Sequence, residues 1–460
     1  MNRSPLDLPD DRLASIKTDG SRSYIFPAEV RGFFHRYRQV VQAILMLIFL
    51  VLPWIEIDGQ QAVLMNIPDR HFSFFGLTFL AHDGPLIFFV LALLTLSLAF
   101  VTSVWGRVWC GWACPQTVFI ESVFRRIEKW IEGNHLAQRQ LNQAPWGILK
   151  IGKKSLKWFL FFIASLIITH SFLAYFVGTH ELFHMIRQPP KENWTSFLVM
   201  VYVTLLILFD FGWFREQFCI IACPYGRFQS VLMDQHTINI LYDQKRGEPR
   251  KGQVPEGQKA GDCINCYRCV QVCPTGVDIR RGVQLECIAC TACIDACDEI
   301  MEKTKKPKGL IRYASEITLS GQKSRLFRPR NWVYLSLIVL TVTALGISTA
   351  HRHPIQIILV RAKDVPYRSV PLDNGQTGWL NHFTLHIGNQ GKLPVNLSWQ
   401  IEEPWKSLGV TVTTSQNQIT LNTDERKTMH FFVKFPSDAF KGKSSHYLAF
   451  IREHGARFGF

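Results

Sequence analysis

The sequence predicts a multi-pass α-helical membrane domain of five spans, a cysteine-rich insert ahead of the last span, and a C-terminal β-sandwich. Three observations predict it. Five apolar stretches are long enough, or nearly so, to cross a bilayer. All twelve cysteines fall between Cys110 and Cys297. Beyond residue 355 the pattern changes to short alternating runs separated by turn residues.

The spans are read at about Val40–Ile57, Pro85–Val104, Trp158–Gly178, Trp194–Phe214 and Trp332–Ala350. Trp, Tyr and basic residues flank several of them, as expected at headgroup level. Residues 1–38 and 109–156 each hold seven Lys/Arg, whereas the 59–85 loop has only Arg70 and the 178–194 loop only Arg187 and Lys191. The positive-inside rule therefore places the N-terminus, 109–156 and 215–331 in the cytoplasm of a bacterial inner membrane protein, and 351–460 in the periplasm. The first span has a charged leader too long for a cleaved signal peptide. The formal net charge of +15 follows from basic cytoplasmic loops, so no nucleic-acid partner is expected. Membrane lipid is the first expected partner.

This divides the chain into a cytoplasmic segment 1–38, a membrane domain 39–244, an insert 245–310, a linker 311–331, a fifth helix 332–350 and a periplasmic domain 351–460. The membrane domain contains a repeat. Each two-span unit ends in a Cys-x-x-x-Cys-Pro turn, Cys110 to Pro115 and Cys219 to Pro224. On a continuing helix, i and i+4 put both thiols of a pair on one face. Two pairs would then bring four sulfurs, Cys110, Cys114, Cys219 and Cys223, near one membrane surface. Thiolates are soft ligands for copper(I), zinc or iron–sulfur iron; the plainer alternative is that small cysteines pack near helix ends.

The insert carries the strongest signal. Cys263-x-x-Cys266-x-x-Cys269-x-x-x-Cys273-Pro274 is a bacterial ferredoxin run, and Cys287-x-x-Cys290-x-x-Cys293-x-x-x-Cys297 repeats it. In this rhythm three thiolates wrap one cubane while the fourth turns to its neighbour. Cys263, Cys266, Cys269 and Cys297 are therefore assigned to one [4Fe–4S] cluster, and Cys287, Cys290, Cys293 and Cys273 to the other. Four thiolates complete each cubane, which argues for electron relay rather than chemistry at iron. Paired zinc sites, the rival for Cys-x-x-Cys repeats, do not need this spacing. Asp298 stands where a proline usually follows the second run. The insert is thus a bacterial 2[4Fe–4S] ferredoxin-like domain with basic, Gly/Pro-rich flanks.

The C-terminal region suggests a small β-sandwich of immunoglobulin-like kind, with runs such as Phe383–Ile387 and Thr428–Phe435. It contains no catalytic constellation, and fold alone gives no function. His180 and His184, and His351 and His353, are spaced either for copper or as interfacial polar anchors. Asp210 near the end of the fourth span either meets a loop arginine or lines a polar path.

With these residues in hand, the chain resembles the FixG/CcoG (RdxA-type) cytochrome c oxidase accessory family, whose members are membrane polyferredoxins. The likeness covers nearly the whole sequence. It runs through Gly106 to Thr117, Glu216 to Ser230, Arg246 to Arg250, both ferredoxin runs with Cys297-Asp298, and Gly309 to Tyr313. Asp298 is ordinary in that family. More distant likeness extends to the membrane ferredoxins of nitrate and nitrous oxide reduction, which handle quinol-linked electrons. The resemblance implies an oxidoreductase of one-electron transfer, a cupric reductase turning Cu(II) into Cu(I) for assembly of the copper-containing cbb-type oxidase. It places copper, as substrate or transiently bound, at Cys110, Cys114, Cys219 and Cys223. It implies a copper exporter and copper chaperones as partners, beside a cytoplasmic electron donor that no dinucleotide or flavin motif identifies; a homodimer is compatible with it. Two other readings stand beside it: a quinol-linked electron-transfer subunit, and a non-catalytic assembly scaffold.

Overall fold

The computed structural model describes residues 24–57, 60–67, 71–80, 84–254, 259–325, 328–350, 355–362, 368–371, 377–389, 394–400, 409–416, 418–422, 425–436, 450–453 and 456–459. The chain divides into two units, Met1–Gly346 and Ile347–Phe460. Among the described residues, five helices are long and apolar enough to cross a membrane: Phe33–Trp54, Leu86–Trp105, Ile148–Val177, Trp194–Phe214 and Pro329–Ala350. Leu94, Leu205 and Leu340 on three of them are each more than half exposed, an outward apolar face suited to lipid.

The first and third helices begin well before their apolar stretches do. The first starts at Phe33 rather than Val40, because Arg36 and Arg38 carry the helix outward. The third has 30 residues, about 45 Å at 1.5 Å per residue, which exceeds a hydrocarbon core of about 30 Å. Its extra turns hold Lys154 and Lys157, which meet Glu132 at 2.8 and 3.0 Å. The loop between the first two spans contains a three-stranded antiparallel meander, Val63–Asn66, His71–Phe74 and Leu77–Leu80. Its strands are too short to stand out in sequence. His351 and His353 lie outside the described residues.

The cysteine-rich insert leaves and rejoins the rest of its unit through an antiparallel strand pair, Asn239–Tyr242 with Ile311–Ala314. Ile240, Ile279, Ile294, Met301, Leu310 and Ile311 form its core. The insert is fastened to the first span. Asp295 accepts the backbone N–H groups of Phe34 at 3.2 Å and His35 at 2.7 Å, capping a helix start that has no side-chain cap of its own. Arg38 donates to the Cys290 carbonyl at 3.0 Å.

The second unit is sheet-rich. A five-stranded antiparallel sheet is centred on Thr377–Asn389 and Arg426–Pro436, and a four-stranded one includes Val395–Gln400 and Gln418–Leu421. Leu385, Ile387, Met429 and Phe431 from the first sheet share one core with Leu397, Ile419 and Leu421 from the second.

Candidate electron-transfer site

Both ferredoxin runs fold alike. Asn265 and Tyr267 flank Cys266 with φ of 57° and 56°; Ala289 and Thr291 flank Cys290 with φ of 52° and 65°. Four non-glycine residues in the left-handed region are costly, about 1–3 kcal/mol each. They sit at matching positions of the two runs, where the backbone must curl so that successive thiols face inward. A short helix succeeds each curl, Arg268–Gln271 and Ala292–Lys303.

Two adjoining cavities result. Cys263, Cys266, Cys269 and Cys297 line one; Cys273, Cys287, Cys290 and Cys293 line the other, where Cys269 also reaches. Each run therefore sends its fourth cysteine to the other run's cavity. Burial pushes the thiols of Cys269, Cys287 and Cys297 up to about 12, so they are neutral without a cation to face. Backbone N–H groups point at sulfur: Thr275 and Val277 toward Cys273, Ala289 toward Cys287, Ile311 toward Cys297. Donors of that kind favour negative charge on sulfur. Neutral walls, convergent thiols and N–H donors are what a thiolate-ligated cluster requires, and the residues present fit [4Fe–4S] groups. Asp298, in place of proline, accepts the Gly309 N–H at 2.8 Å and so ties the end of the second run to the strand that leaves the insert.

The Cys-x-x-x-Cys-Pro turns correct one expectation. Neither pair rides on a continuing helix. Cys110 lies in the short helix Val108–Trp112, but Cys114 is extended, at φ −62° and ψ 127°, ahead of the helix that Pro115 starts. Cys219 lies in the π-helical turn Phe218–Ala222, and Cys223 is extended, at φ −71° and ψ 112°, ahead of the helix Pro224–Leu232. Proline forces the preceding residue out of helical geometry, and its own fixed φ starts the next helix. Both turns close with the same wide bond, Cys114 N–H to Trp109 O at 2.9 Å and Cys223 N–H to Phe218 O at 2.8 Å.

The four thiols are still neighbours: a thiolate at Cys114, Cys110 or Cys223 would raise Cys219 further. Burial raises Cys110 to about 11 and also raises Cys114 and Cys219. Cys110 lies 3.4 Å from the amide nitrogen of the fully buried Gln229. Among the described residues, no three of the His, Cys, Asp and Glu side chains stand close enough to hold one ion, so the four thiols form a neighbourhood and not a closed coordination sphere.

Cys110 and Cys219 pack against a buried cluster that includes Ile288 and Cys290, both in the wall of the second cavity. The contact depends on Gly111. A Cβ there would lie 2.5 Å from the Ile288 carbonyl oxygen and 2.7 Å from that of Ala289, so only glycine lets the turn sit this close. Arg107 bridges the same junction, donating to the Leu285 carbonyl and, at 2.5 Å, to that of Gly226 in the second turn. Neither Gly111 nor Arg107 stands out by its chemistry in the sequence, because their role is proximity and not reactivity.

The other described polar candidates each have a polar partner. His180 meets Glu56 at 2.8 Å and His184 meets Gln188 at 3.4 Å. Asp210 accepts from the Gln116 amide at 3.0 Å rather than from an arginine. Cross-strand register creates one histidine pair that the sequence does not announce, His382 and His430, whose ring nitrogens are 2.9 Å apart.

A family profile described as a 4Fe-4S dicluster domain matches residues 214–316, and one described as a 4Fe-4S binding domain matches 86–134. The second stretch holds only Cys110 and Cys114, too few to complete a cubane alone. Protein RdxA of Cereibacter sphaeroides is 37% identical over 69% of this chain and 70% of its own. Protein RdxB of the same organism is 34% identical over 80% of this chain and 79% of its own. The chain belongs to the FixG-related family. The nitrogen fixation protein FixG of Rhizobium meliloti is 36% identical over 64% of this chain and 57% of its own. A crystal structure of a FixG-related protein from Vibrio parahaemolyticus aligns with 24% of this chain and 91% of its own at 12% identity, with a TM-score of 0.18, too low to bear on the fold. This FixG-related chain is therefore an iron–sulfur electron-transfer protein with five candidate membrane spans, whose cluster cavities adjoin a pair of matching thiol turns.

Proposed function

We propose that this FixG-related protein is a cupric reductase of the bacterial inner membrane, converting Cu(II) to Cu(I) one electron at a time for assembly of a copper-containing cbb-type oxidase. Cys263, Cys266, Cys269 and Cys297 would hold one [4Fe–4S] cluster and Cys287, Cys290, Cys293 and Cys273 the other. These groups supply one-electron carriers when bound. The observation that carries the reading is the Gly111 contact, which sets the Cys110 and Cys219 thiols against the wall of the second cluster cavity.

The chain's own residues then do three things. The proline-closed turns present Cys110, Cys114, Cys219 and Cys223 at the ends of the second and fourth spans. Their soft sulfurs prefer Cu(I) over Cu(II), which raises the potential of bound copper. An open thiol neighbourhood lets the product leave to a copper chaperone or exporter by ligand exchange. In the orientation that the basic loops support, the insert and thiol turns face the cytoplasm and its electron donor. The sheet-rich unit is then a periplasmic, immunoglobulin-like interaction module.

The test is anaerobic stopped flow on the detergent-purified protein, reduced and freed of excess reductant, mixed with Cu(II) and a Cu(I)-specific chelator. The reading requires chelate colour to rise as the reduced protein reoxidises, with both slowed in a Cys110→Ser/Cys114→Ser variant. Protein that stays reduced in the presence of Cu(II) would remove copper as acceptor.

A further inference from the structure

The first unit holds a cavity that the thiol chemistry does not use. It measures about 580 Å³ and lies between residues 25–32, the start of the first span, the region 121–138 and the insert. That is a volume suited to a small molecule. Its wall includes Val272 and Pro274 on either side of Cys273, and Ala292 beside Cys293.

The lining is strongly one-signed, with seven Lys/Arg side chains against three glutamates. Internal pairing accounts for part of it: Arg125 meets Glu121 at 2.7 Å, Arg215 meets Glu128 at 2.5 Å, and Lys129 meets Glu29 at 3.0 Å. Arg31, Arg36 and Arg126 make no ion pair among the described residues, and they leave the cavity with uncompensated positive charge. Arg38 is already engaged, its guanidinium donating to the Cys290 carbonyl at 3.0 Å and pairing with Glu121 at 3.5 Å. Oxygens carrying negative charge answer that excess. A neutral quinone head would leave the charge uncompensated.

We infer that this cavity binds a phosphate-bearing anion, held by Arg31, Arg36 and Arg126. Arginine suits phosphate because its planar fork matches two oxygens. The source is either a soluble phosphorylated molecule or an anionic phospholipid headgroup, and either would bridge the first span and the insert. The inference does not depend on copper being the acceptor.

Two arms on the full-length protein, with its clusters in place and in neutral detergent at low ionic strength, test it. One titrates inorganic pyrophosphate calorimetrically. The other counts retained phosphatidylglycerol against phosphatidylcholine by native mass spectrometry. Arg36→Gln/Arg126→Gln removes two exposed, unpaired cations with little structural consequence; Lys191→Gln, outside the cavity, is the charge control. Saturable pyrophosphate binding, weakened at least tenfold by the double variant but not by the control, identifies a soluble ligand. Phosphatidylglycerol retained selectively and lost in the same variant identifies the headgroup. If neither probe binds, or the double variant and the control behave alike, the assignment is overturned.

Discussion

Replacing Gly111 by alanine tests whether the thiol turn and the cluster-binding loop must touch. The new Cβ would meet two carbonyl oxygens, at 2.5 and 2.7 Å, where ordinary contact begins at 3.4 Å. Both obstacles are backbone, so no side chain can swing aside. The turn and the loop must part by roughly 1 Å, and overpacking of this kind costs about 1–3 kcal/mol. Alanine at Gly152 is the control, because nothing lies within 4 Å of its Cβ position; a helix-interior Gly→Ala change there should stabilise by about 0.5–1 kcal/mol. Two measurements are made on each variant: the thermal midpoint, and the rate of Cu(I) chelate formation from the reduced protein. Gly111→Ala should lower the midpoint and slow the chelate trace while full cluster content is retained. Gly152→Ala should leave the trace unchanged. A Gly111→Ala protein with parental midpoint and parental rate would refute the claim that this contact matters to either.

The crossed fourth cysteines give a second test. Cys297→Ser should disturb the cluster of the Cys263, Cys266 and Cys269 cavity, and Cys273→Ser the other. Electron paramagnetic resonance of the reduced variants would show the opposite pattern if each run closed on its own fourth cysteine. Asp295→Ala strips the acceptor from two backbone N–H groups at the start of the first span and should cost about 1 kcal/mol or somewhat more, read from urea melts; an unchanged midpoint would mean that water replaces the cap. The thiol turns predict a pH dependence. Cys110 is raised to about 11, chiefly by burial, so at neutral pH it is protonated and must release that proton to bind Cu(I). Apparent Cu(I) affinity should therefore rise with pH, about tenfold per unit for each proton released, until the pH passes the thiol's own pKa. Competition against a chelator of known pH dependence at pH 6.5 and 8.5 checks it, and a flat profile would mean that these thiols do not ligate copper.

How legible each feature is in the sequence depends on the range of the interaction that makes it. The five spans can be read because bilayer thickness imposes length and apolarity on one contiguous stretch. The first turns of the first span cannot, since Arg36 and Arg38 are polar by composition but helical by continuity with the apolar residues after them. The proline after each cysteine pair signals a helix end, but reading the pair as i and i+4 on one helix overlooks that the same proline forces Cys114 and Cys223 into extended geometry. Asp298 looks like a defect in a ferredoxin run until Gly309, eleven residues on, supplies the N–H it accepts.

The least legible features join segments far apart in the chain, and these are the ones that bear on function. Gly111 against Ile288, Asp295 against Phe34 and Arg38 against Cys290 each pair a membrane-domain residue with an insert residue. None of the three is announced by a motif. Together they hold the insert in one fixed register on the spans, which an electron relay needs and a loosely tethered scaffold does not. A scaffold reading would tolerate loosening at these points; a relay reading predicts that weakening any of them slows electron delivery before it abolishes folding. That ordering, rate before stability, separates the two.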